Sequence, residues 1–238
     1  MRESPPMEYR KKYIQYLASY ALRFRRARFR LFEELVSDFG GRPVNILDVG
    51  GFEEFWTNMG FDLGKHTITV LNLESEWKPS THANVKSVVG DACDMKEYKR
   101  GDFDIVFSNS VLEHVGTFDR QRMMANEVRR IGESYFVQTP NYYFPMEPHF
   151  HVPFFQNLPL AVRQRLIQRF ALGCMPRIPD PHEARKLAEE TRLLTKREMK
   201  ELFPDARVEE EKLVGLTKSI ICIRRGGGGK RSSDYSVN

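Results

Sequence analysis

The feature that most constrains the fold is an alternation of short apolar runs with helical segments, closed by two runs that a tight turn joins. The first five runs predict strands at residues 44–49, 66–73, 85–89, 103–109 and 134–140. Strands that alternate with helical segments are typical of a parallel, doubly wound sheet. The last two runs, 206–214 and 218–225, flank Gly215 and predict an antiparallel hairpin. We therefore predict an α/β fold with a doubly wound, seven-stranded, mostly parallel sheet and a C-terminal antiparallel hairpin.

The remaining segments predict the domain organisation around this sheet. Residues 1–42 carry a basic amphipathic pattern with apolar residues at helical spacing, so we expect a helical cover there. Within a domain at 43–225, residues 141–195 are rich in aromatic residues and proline, and an insertion of that length usually forms a lid over a substrate. Residues 226–238 are low in complexity and are predicted to be disordered.

The formal net charge of +5 comes mainly from the first thirty residues, where arginine and lysine cluster. Two interpretations stay open: the charges form a solvated helix face, or they meet an anionic partner such as a phosphate, a lipid headgroup or RNA. No run approaches the roughly 18 apolar residues that a membrane span needs, and the N-terminus has no secretory pattern. Three widely spaced cysteines without a CxxC pair favour reduced thiols and a cytoplasmic location.

The first apolar run ends in the motif LDVGG, which contains Asp48, Gly50 and Gly51. Glycine permits a ligand to approach the main chain closely, and a carboxylate can offset a positive ligand group. Phe52 and Glu54 stand where a glycine-rich loop would keep its other glycines. The motif thus predicts a cofactor loop, with a buried strand that ends in a turn as the alternative.

Further candidate residues follow the next strands, at what would be the same edge of the sheet. They are Asn72, Leu73 and Glu74 after the second strand, Asp91 and Ala92 after the third, and Asn109, Ser110 and the Glu113-His114 pair after the fourth. An amide can donate to and accept from ligand hydroxyls, which suits Asn72. Glu74 is the alternative, on the expectation that it shares a strand face with Asn72.

These motifs, in this order, resemble the class I S-adenosylmethionine (SAM) methyltransferases over roughly residues 44–140 and 195–225. The resemblance implies a Rossmann-like fold with SAM as the cofactor. It implies contacts with the methionine end at Asp48, Gly50, Gly51, Asn109, Ser110 and His114, with the ribose at Asn72, Leu73 and Glu74, and with the adenine at Asp91 and Ala92. The alternative for each is a structural role at a strand end.

The segment from Thr139 to Pro159 resembles a bacterial subset of that family with a Pro-Asn-aromatic…Glu-Pro-His segment. The resemblance implies substrate contacts at Tyr142, Tyr143, Glu147, His149, Phe150 and His151. Imidazole is suited to proton transfer near neutral pH, so His149, His151 and His114 are candidate general bases. The alternative is that the histidines stabilise a proline-rich loop. An extended Glu147-x-His149-x-His151 segment would also point three ligands one way, but three ligands without a fourth are weak support, and we predict no metal.

We therefore predict an enzyme that moves a methyl group from SAM to an oxygen, in preference to nitrogen or carbon, of a small molecule or conjugated metabolite. An Asn/Asp-Pro-Pro-aromatic run after the fourth strand is missing, which disfavours methylation of base amino groups. No cysteine near that strand is placed for cytosine C5 chemistry. Two alternatives remain: an RNA methyltransferase recruited by the basic arm, and a non-catalytic SAM-binding or partner protein.

Overall fold

The computed structural model of the protein describes residues 24–173 and 175–226. Their centre is a single seven-stranded sheet with the order β3-β2-β1-β4-β5-β7-β6. The strands are β1 Asn45–Val49, β2 Thr67–Asn72, β3 Val85–Val89, β4 Phe103–Asn109, β5 Gly132–Pro140, β6 Arg207–Leu213 and β7 Leu216–Arg224. The predicted α/β fold is confirmed.

Strands β1 to β5 pair in parallel, whereas β7 runs antiparallel to both β5 and β6. The hairpin turns at Val214 and Gly215, whose φ angles of 50° and 80° match the primed turns that fit the twist of paired strands. Because β1 to β5 are parallel, their carboxyl ends all meet at one edge of the sheet. The candidate residues of LDVGG and of the segments after β2, β3 and β4 therefore lie along that edge.

Six helices surround the sheet in the described part of the chain. They are α1 over residues 24–37, α2 Glu53–Met59, α3 Phe118–Ile131, α4 Leu160–Arg169, α5 Pro181–Glu190 and α6 Lys196–Leu202. Thr117, Asp180 and Thr195 cap the N-termini of α3, α5 and α6 with side-chain oxygens, as the short polar residue before each apolar pattern would lead one to expect. None of the helices among the described residues has the length and apolar character to cross a membrane.

Helix α1 packs its aromatic stripe onto one face of the sheet. Phe29, Phe32 and Leu35 are buried with Trp56 of α2 and Phe107 of β4. Fully burying such a side chain is worth about 1.5–3 kcal/mol. This packing agrees with the interpretation of the described part of the basic helix as a cover, and the predicted helical residues before 24 lie outside the described residues.

The insertion at 141–195 has a small core of its own. Helices α4 and α5 pack against each other, and they bury Phe150, Phe155, Ile167, Ala184 and Ala188. The opposite face of the sheet is covered by α3 and α6 in a separate cluster. Residues 227–238 of the predicted disordered tail lie outside the described residues.

Candidate functional site

The turn from β1 into α2 depends on both glycines of LDVGG. Gly50 has φ of 76°, and a Cβ there would lie 2.6 Å from the methyl groups of Val111. At Gly51 a Cβ would lie 1.9 Å from Oδ2 of Asp48. A side chain at either position is excluded by the local packing, so the turn keeps the loop after β4 in contact with the loop after β1.

Asp48 is buried beneath this turn. Its Oδ2 accepts a hydrogen bond of 2.7 Å from the indole Nε1 of Trp56, and its Oδ1 has no partner within the described residues. Burial raises the pKa of Asp48 to about 7, against the opposing effect of the Trp56 bond. The carboxylate thus holds α2 against the end of β1, and its contact with a cofactor stays a prediction.

Asn72 links the end of β2 to the same turn, since its Nδ2 donates to the carbonyl oxygen of Gly51 at 2.9 Å. The expectation that Glu74 shares a strand face with Asn72 is wrong. The strand ends at Asn72, and Glu74 lies exposed in the turn that follows. Leu73 is also exposed. Asn72 is therefore the residue of this segment that contacts the β1 turn.

Glu53, in the first turn of α2, forms hydrogen bonds to the connection between β2 and β3. Its carboxylate accepts from the hydroxyls of Ser80 and Thr81 at 2.5 Å each and from the Thr81 amide at 2.8 Å. The hydrogen bonds from Ser80 and Thr81 lower the pKa of Glu53 to about 2. Between α2 and this connection lies a cleft of about 240 Å³, which Phe52 and Asn72 help to line.

Asp91 and Ala92 follow β3. Asp91 pairs with the guanidinium of Arg120 at 2.9 Å and accepts from the amide of Cys93 at 2.9 Å. Burial acts to raise the pKa of Asp91, but the bonds from Cys93 and Arg120 outweigh it and lower that pKa. Asp91 is therefore a fixed, ionised acceptor at the edge of the sheet, and its predicted adenine contact stays a prediction.

At the end of β4, Asn109 borders a small cavity together with Arg25 and Arg28 of α1. Ser110 has φ of 59°, an uncommon value outside glycine that often marks a functional site. Its amide and hydroxyl both bond to Gln138 of β5, at 3.0 and 2.9 Å. The loop after β4 is thus fixed to its neighbouring strand before it reaches His114.

A hydrogen-bonded series joins Glu147, His149 and His114. Oε1 of Glu147 lies 2.7 Å from Nδ1 of His149, and the two Nε2 atoms of His149 and His114 lie 3.1 Å apart. Burial, aided by His149, lowers the pKa of His114 to about 4. Burial acts to lower the pKa of His149 as well, but the bond and charge of Glu147 raise it on balance. His114 is therefore neutral at neutral pH.

Glu113 lies beside this pair and is completely buried. Its Oε2 accepts from the Thr139 hydroxyl at 3.0 Å, while its Oε1 has no partner within the described residues. Burial raises the pKa of Glu113 to about 7. One ligand atom each from Glu113, His114 and His149 lie within 4.8 Å of one another.

Two predictions about the 141–195 segment are wrong in their geometry. His151 does not point with Glu147 and His149, because the chain turns rather than extends: His151 has φ of 51°, donates its amide to the Glu147 carbonyl and is exposed. Phe150 is buried and stacks on Phe155 in the core of the insertion, so it does not face a substrate. Tyr143 is exposed and half-buried Tyr142 contacts its ring, in agreement with an accessible surface.

Part of the chain is similar to a known protein family. Residues 40–134 match the profile of the family described as "Methyltransferase domain". Two uncharacterized proteins of Mycobacterium tuberculosis, strains CDC 1551 and H37Rv, are each 43% identical over 61 residues, which are 26% of this chain and 21% of each relative. The chain therefore matches about a fifth of the length of these relatives.

Solved structures share the fold. The N-terminal domain of EvdMO1, in the presence of SAH (S-adenosylhomocysteine) and D-fucose, superposes with a TM-score of 0.51 at 18% identity, over 85% of this chain and 82% of that one. Magnesium protoporphyrin IX methyltransferase from Synechocystis PCC 6803, with bound SAH, gives a TM-score of 0.51 at 10% identity, over 84% and 83%. Residues 40–134 therefore match a methyltransferase domain, and the described chain has the fold of these methyltransferase structures. The resemblance drawn from the sequence motifs is confirmed at this level.

The candidate site also contains residues that the sequence motifs did not indicate. Trp56 partners Asp48, Gln138 fixes the loop after β4, and Thr139 partners Glu113. These residues are brought in by tertiary contacts, and only the Glu113-His114 pair carried a signal in the sequence. The predicted His114 and His149 do come together, 35 residues apart in the chain.

Proposed function

We propose that this chain is a SAM-dependent methyltransferase that transfers a methyl group to an oxygen of a small molecule or conjugated metabolite. The proposal of SAM rests on the methyltransferase domain, and structures of the same fold that contain SAH support it. Ligands of open α/β sheets bind at the carboxyl ends of the strands. SAM would accordingly lie along the Gly50-Gly51 turn, Asn72 and the loop after β4.

The observation that carries the choice of an oxygen acceptor is the contact between His114 and His149. Their Nε2 atoms lie 3.1 Å apart, and the Val111 carbonyl accepts from the His114 amide while the Val111 side chain touches the Gly50 turn. His114 therefore lies one helical turn after Val111, the residue that packs against the proposed cofactor loop. A hydroxyl acceptor loses a proton when it is methylated, and this cluster is the place where that proton would leave the acceptor.

The reaction is an in-line displacement. The acceptor oxygen attacks the methyl carbon of SAM, the bond from that carbon to sulfur breaks, and its electron pair stays on sulfur to give the neutral thioether SAH. Alignment of the two reactants supplies most of the acceleration, and proton removal adds a factor of about 10²–10⁴. The buried Glu147 carboxylate fixes the His149 ring, so the side chain is positioned before the acceptor arrives.

The experiment is methyl transfer from methyl-labelled SAM to a panel of phenols, sugars and hydroxylated quinones, with total RNA in a separate arm. We expect label in an ether of one small-molecule class and calorimetric binding of SAM and SAH at one site. His149→Gln is expected to lower turnover by about 100-fold or more with SAH affinity retained. His182→Gln, an exposed imidazole in α5, is the matched control and should retain turnover.

The cofactor, the acceptor and the histidine pair can each be rejected by a separate result. No binding heat with either SAM or SAH at high protein concentration would reject the cofactor. Label in RNA, with binding that weakens steeply as salt rises, would replace the small-molecule acceptor with a nucleic acid. Equal loss of turnover in His149→Gln and His182→Gln would remove the specific role of the His114–His149 pair.

A further inference from the structure

We propose that Glu113, His114 and His149 form a binding site for a divalent transition metal ion such as Zn²⁺. These residues come from two segments, the loop after β4 and the turn at 147–150, and only His149 is shared with the Glu147-x-His149-x-His151 pattern. Two imidazoles and one carboxylate are a common ligand set of catalytic metal ions, which keep a further position open for a substrate oxygen. The site thus differs in composition from the one the sequence pattern suggested.

The separation of the two imidazoles suits a shared cation. Metal–nitrogen bonds of about 2.0–2.1 Å place two imidazole nitrogens roughly 3 to 3.4 Å apart, depending on the angle at the metal. The Nε2 atoms of His114 and His149 are 3.1 Å apart. A carboxylate oxygen of Glu113 completes a set in which all ligand atoms lie within 4.8 Å. Binding of one ion by all three residues would require the Glu113 carboxylate to move inward, because the ligand atoms of a tetrahedral site lie only about 3.4 Å apart.

The second observation is one oxygen of the Glu113 carboxylate, Oε1, while Oε2 accepts from Thr139. Its Oε1 is buried and accepts no hydrogen bond from any described residue. A buried polar atom ordinarily has a hydrogen-bonding partner or coordinates a metal ion. The guanidinium of Arg28, on the neighbouring helix, is paired with Glu211 instead, at 3.1 Å. A divalent cation between Glu113 and the two histidines would supply the missing partner.

Glu147 has the position of an outer carboxylate that orients a metal-binding histidine. It lies 2.7 Å from Nδ1 of His149, and it also accepts from the amides of His149 and Phe150. With the proton of His149 held on Nδ1, the lone pair of Nε2 is available to a metal. Such carboxylate–histidine–metal arrangements raise the basicity of the ligand. Glu147 is therefore a positioning residue of this site.

The role of the metal rests on the proposed function. An acceptor hydroxyl bound at the open position would have a lowered pKa, and its proton would pass to water. The resulting alkoxide or phenolate would attack the methyl carbon of SAM, and the electron pair of the broken carbon–sulfur bond would remain on sulfur. No oxidant or reductant is involved, which fits a redox-inactive ion such as Zn²⁺.

The test titrates the untagged, full-length, chelator-treated protein with Co²⁺ and with Zn²⁺. Co²⁺ reports its ligands by visible absorption, and Zn²⁺ binding is measured by calorimetry. We expect one equivalent of either ion. His149→Ala and His114→Ala should weaken binding by more than about 100-fold, and Glu147→Gln by about 10–100-fold. His151→Asn, an exposed histidine two residues from His149 with φ compatible with asparagine, should bind the metal as the wild type does.

The contrary results are distinct from those of the proposed function. Failure of the wild type to bind one equivalent, or equal loss of affinity in His149→Ala and His151→Asn, would overturn the metal site. Calorimetry with SAH on the same samples tests the cofactor independently and shows that each variant is folded. Retained SAH binding without metal binding would overturn the metal site and leave the cofactor part of the proposed function in place.

Discussion

The indole Nε1 of Trp56 donates a 2.7 Å hydrogen bond to Oδ2 of Asp48, the carboxylate at the end of β1. This bond joins the first buried strand to the first helix after the cofactor loop. Gly51 passes so close to the same oxygen that a side chain there would clash with it. Asp48, Gly51 and Trp56 therefore form one packed unit, and the shape of the loop depends on all three.

Gly51→Ala is expected to destabilise the protein by about 1–3 kcal/mol, the usual cost of overpacking a core, since its Cβ would lie 1.9 Å from Oδ2 of Asp48. Chemical denaturation measures this free energy of unfolding. Gly64→Ala, whose nearest neighbour is the Asp62 side chain at 3.3 Å, is the matched control and should change stability by less than about 0.5 kcal/mol. In an Asp48→Ala background the cost at Gly51 should fall, and an unchanged cost would contradict the contact.

Asp48→Asn should change the pH dependence of stability. Burial raises the pKa of Asp48 to about 7, so the native protein keeps this proton at pH values where the unfolded chain has lost it. The contribution of Asp48 is therefore fully present below about pH 4 and is lost as the pH rises through about 7. Asparagine cannot ionise, so the variant should gain on the order of 4 kcal/mol relative to wild type across that interval. Chemical denaturation of both proteins at about pH 4 and above about pH 7 measures this difference. The same change in the free energy of unfolding with pH in both proteins would contradict the prediction.

Much of the fold could be predicted from the sequence, because the apolar runs and the helical segments between them alternate as a doubly wound sheet requires. The runs at 85–89 and 103–109 are β3 and β4 to the residue, and Gly215 lies in the turn of the hairpin. The second strand was predicted to reach residue 73, but it ends at Asn72. Because β2 ends at Asn72, the alternation of side chains along a strand does not extend to Glu74. Asn72 therefore contacts the β1 turn, whereas Glu74 is exposed.

The site was less predictable because its contacts join distant segments. An extended chain was assumed for Glu147 to His151, whereas the positive φ of His151 and its bond to the Glu147 carbonyl turn the segment. Pro148, directly after Glu147, is a turn signal that the assumption of an extended chain did not use. The meeting of His114 with His149 depends on how the insertion packs against the loop after β4, which no local pattern contains.

Asn72→Ala is expected to weaken SAH binding by about 10-fold, since it removes the hydrogen bond to the Gly51 carbonyl and a proposed ribose contact. Isothermal titration calorimetry gives the affinity. Glu74→Ala is the matched control, because Glu74 lies exposed in the following turn, and its affinity should stay within about twofold of the wild type. A larger effect at Glu74 than at Asn72 would assign the ribose to the glutamate instead.

Glu53→Ala should loosen the connection between β2 and β3, while Glu54→Ala should not. Glu53 accepts from the Thr81 amide and from two hydroxyls, whereas its neighbour Glu54 is exposed. Hydrogen exchange at Thr81 is expected to become at least about 10-fold faster in Glu53→Ala, since a hydrogen bond to a charged group is worth about 1.5–3 kcal/mol.

The hydrogen bonds from Ser80 and Thr81 to Glu53 should weaken at low pH. The Ser80 and Thr81 bonds lower the pKa of Glu53 to about 2, so its contribution is present above the ordinary glutamate pKa and is lost as the pH falls towards about 2. Protection of Thr81 in the wild type, corrected for intrinsic exchange, should therefore hold at about pH 5 and decline below about pH 4. Equal exchange in Glu53→Ala and Glu54→Ala would show that the connection is held by other contacts, and the cleft beside Asn72 would then not depend on Glu53.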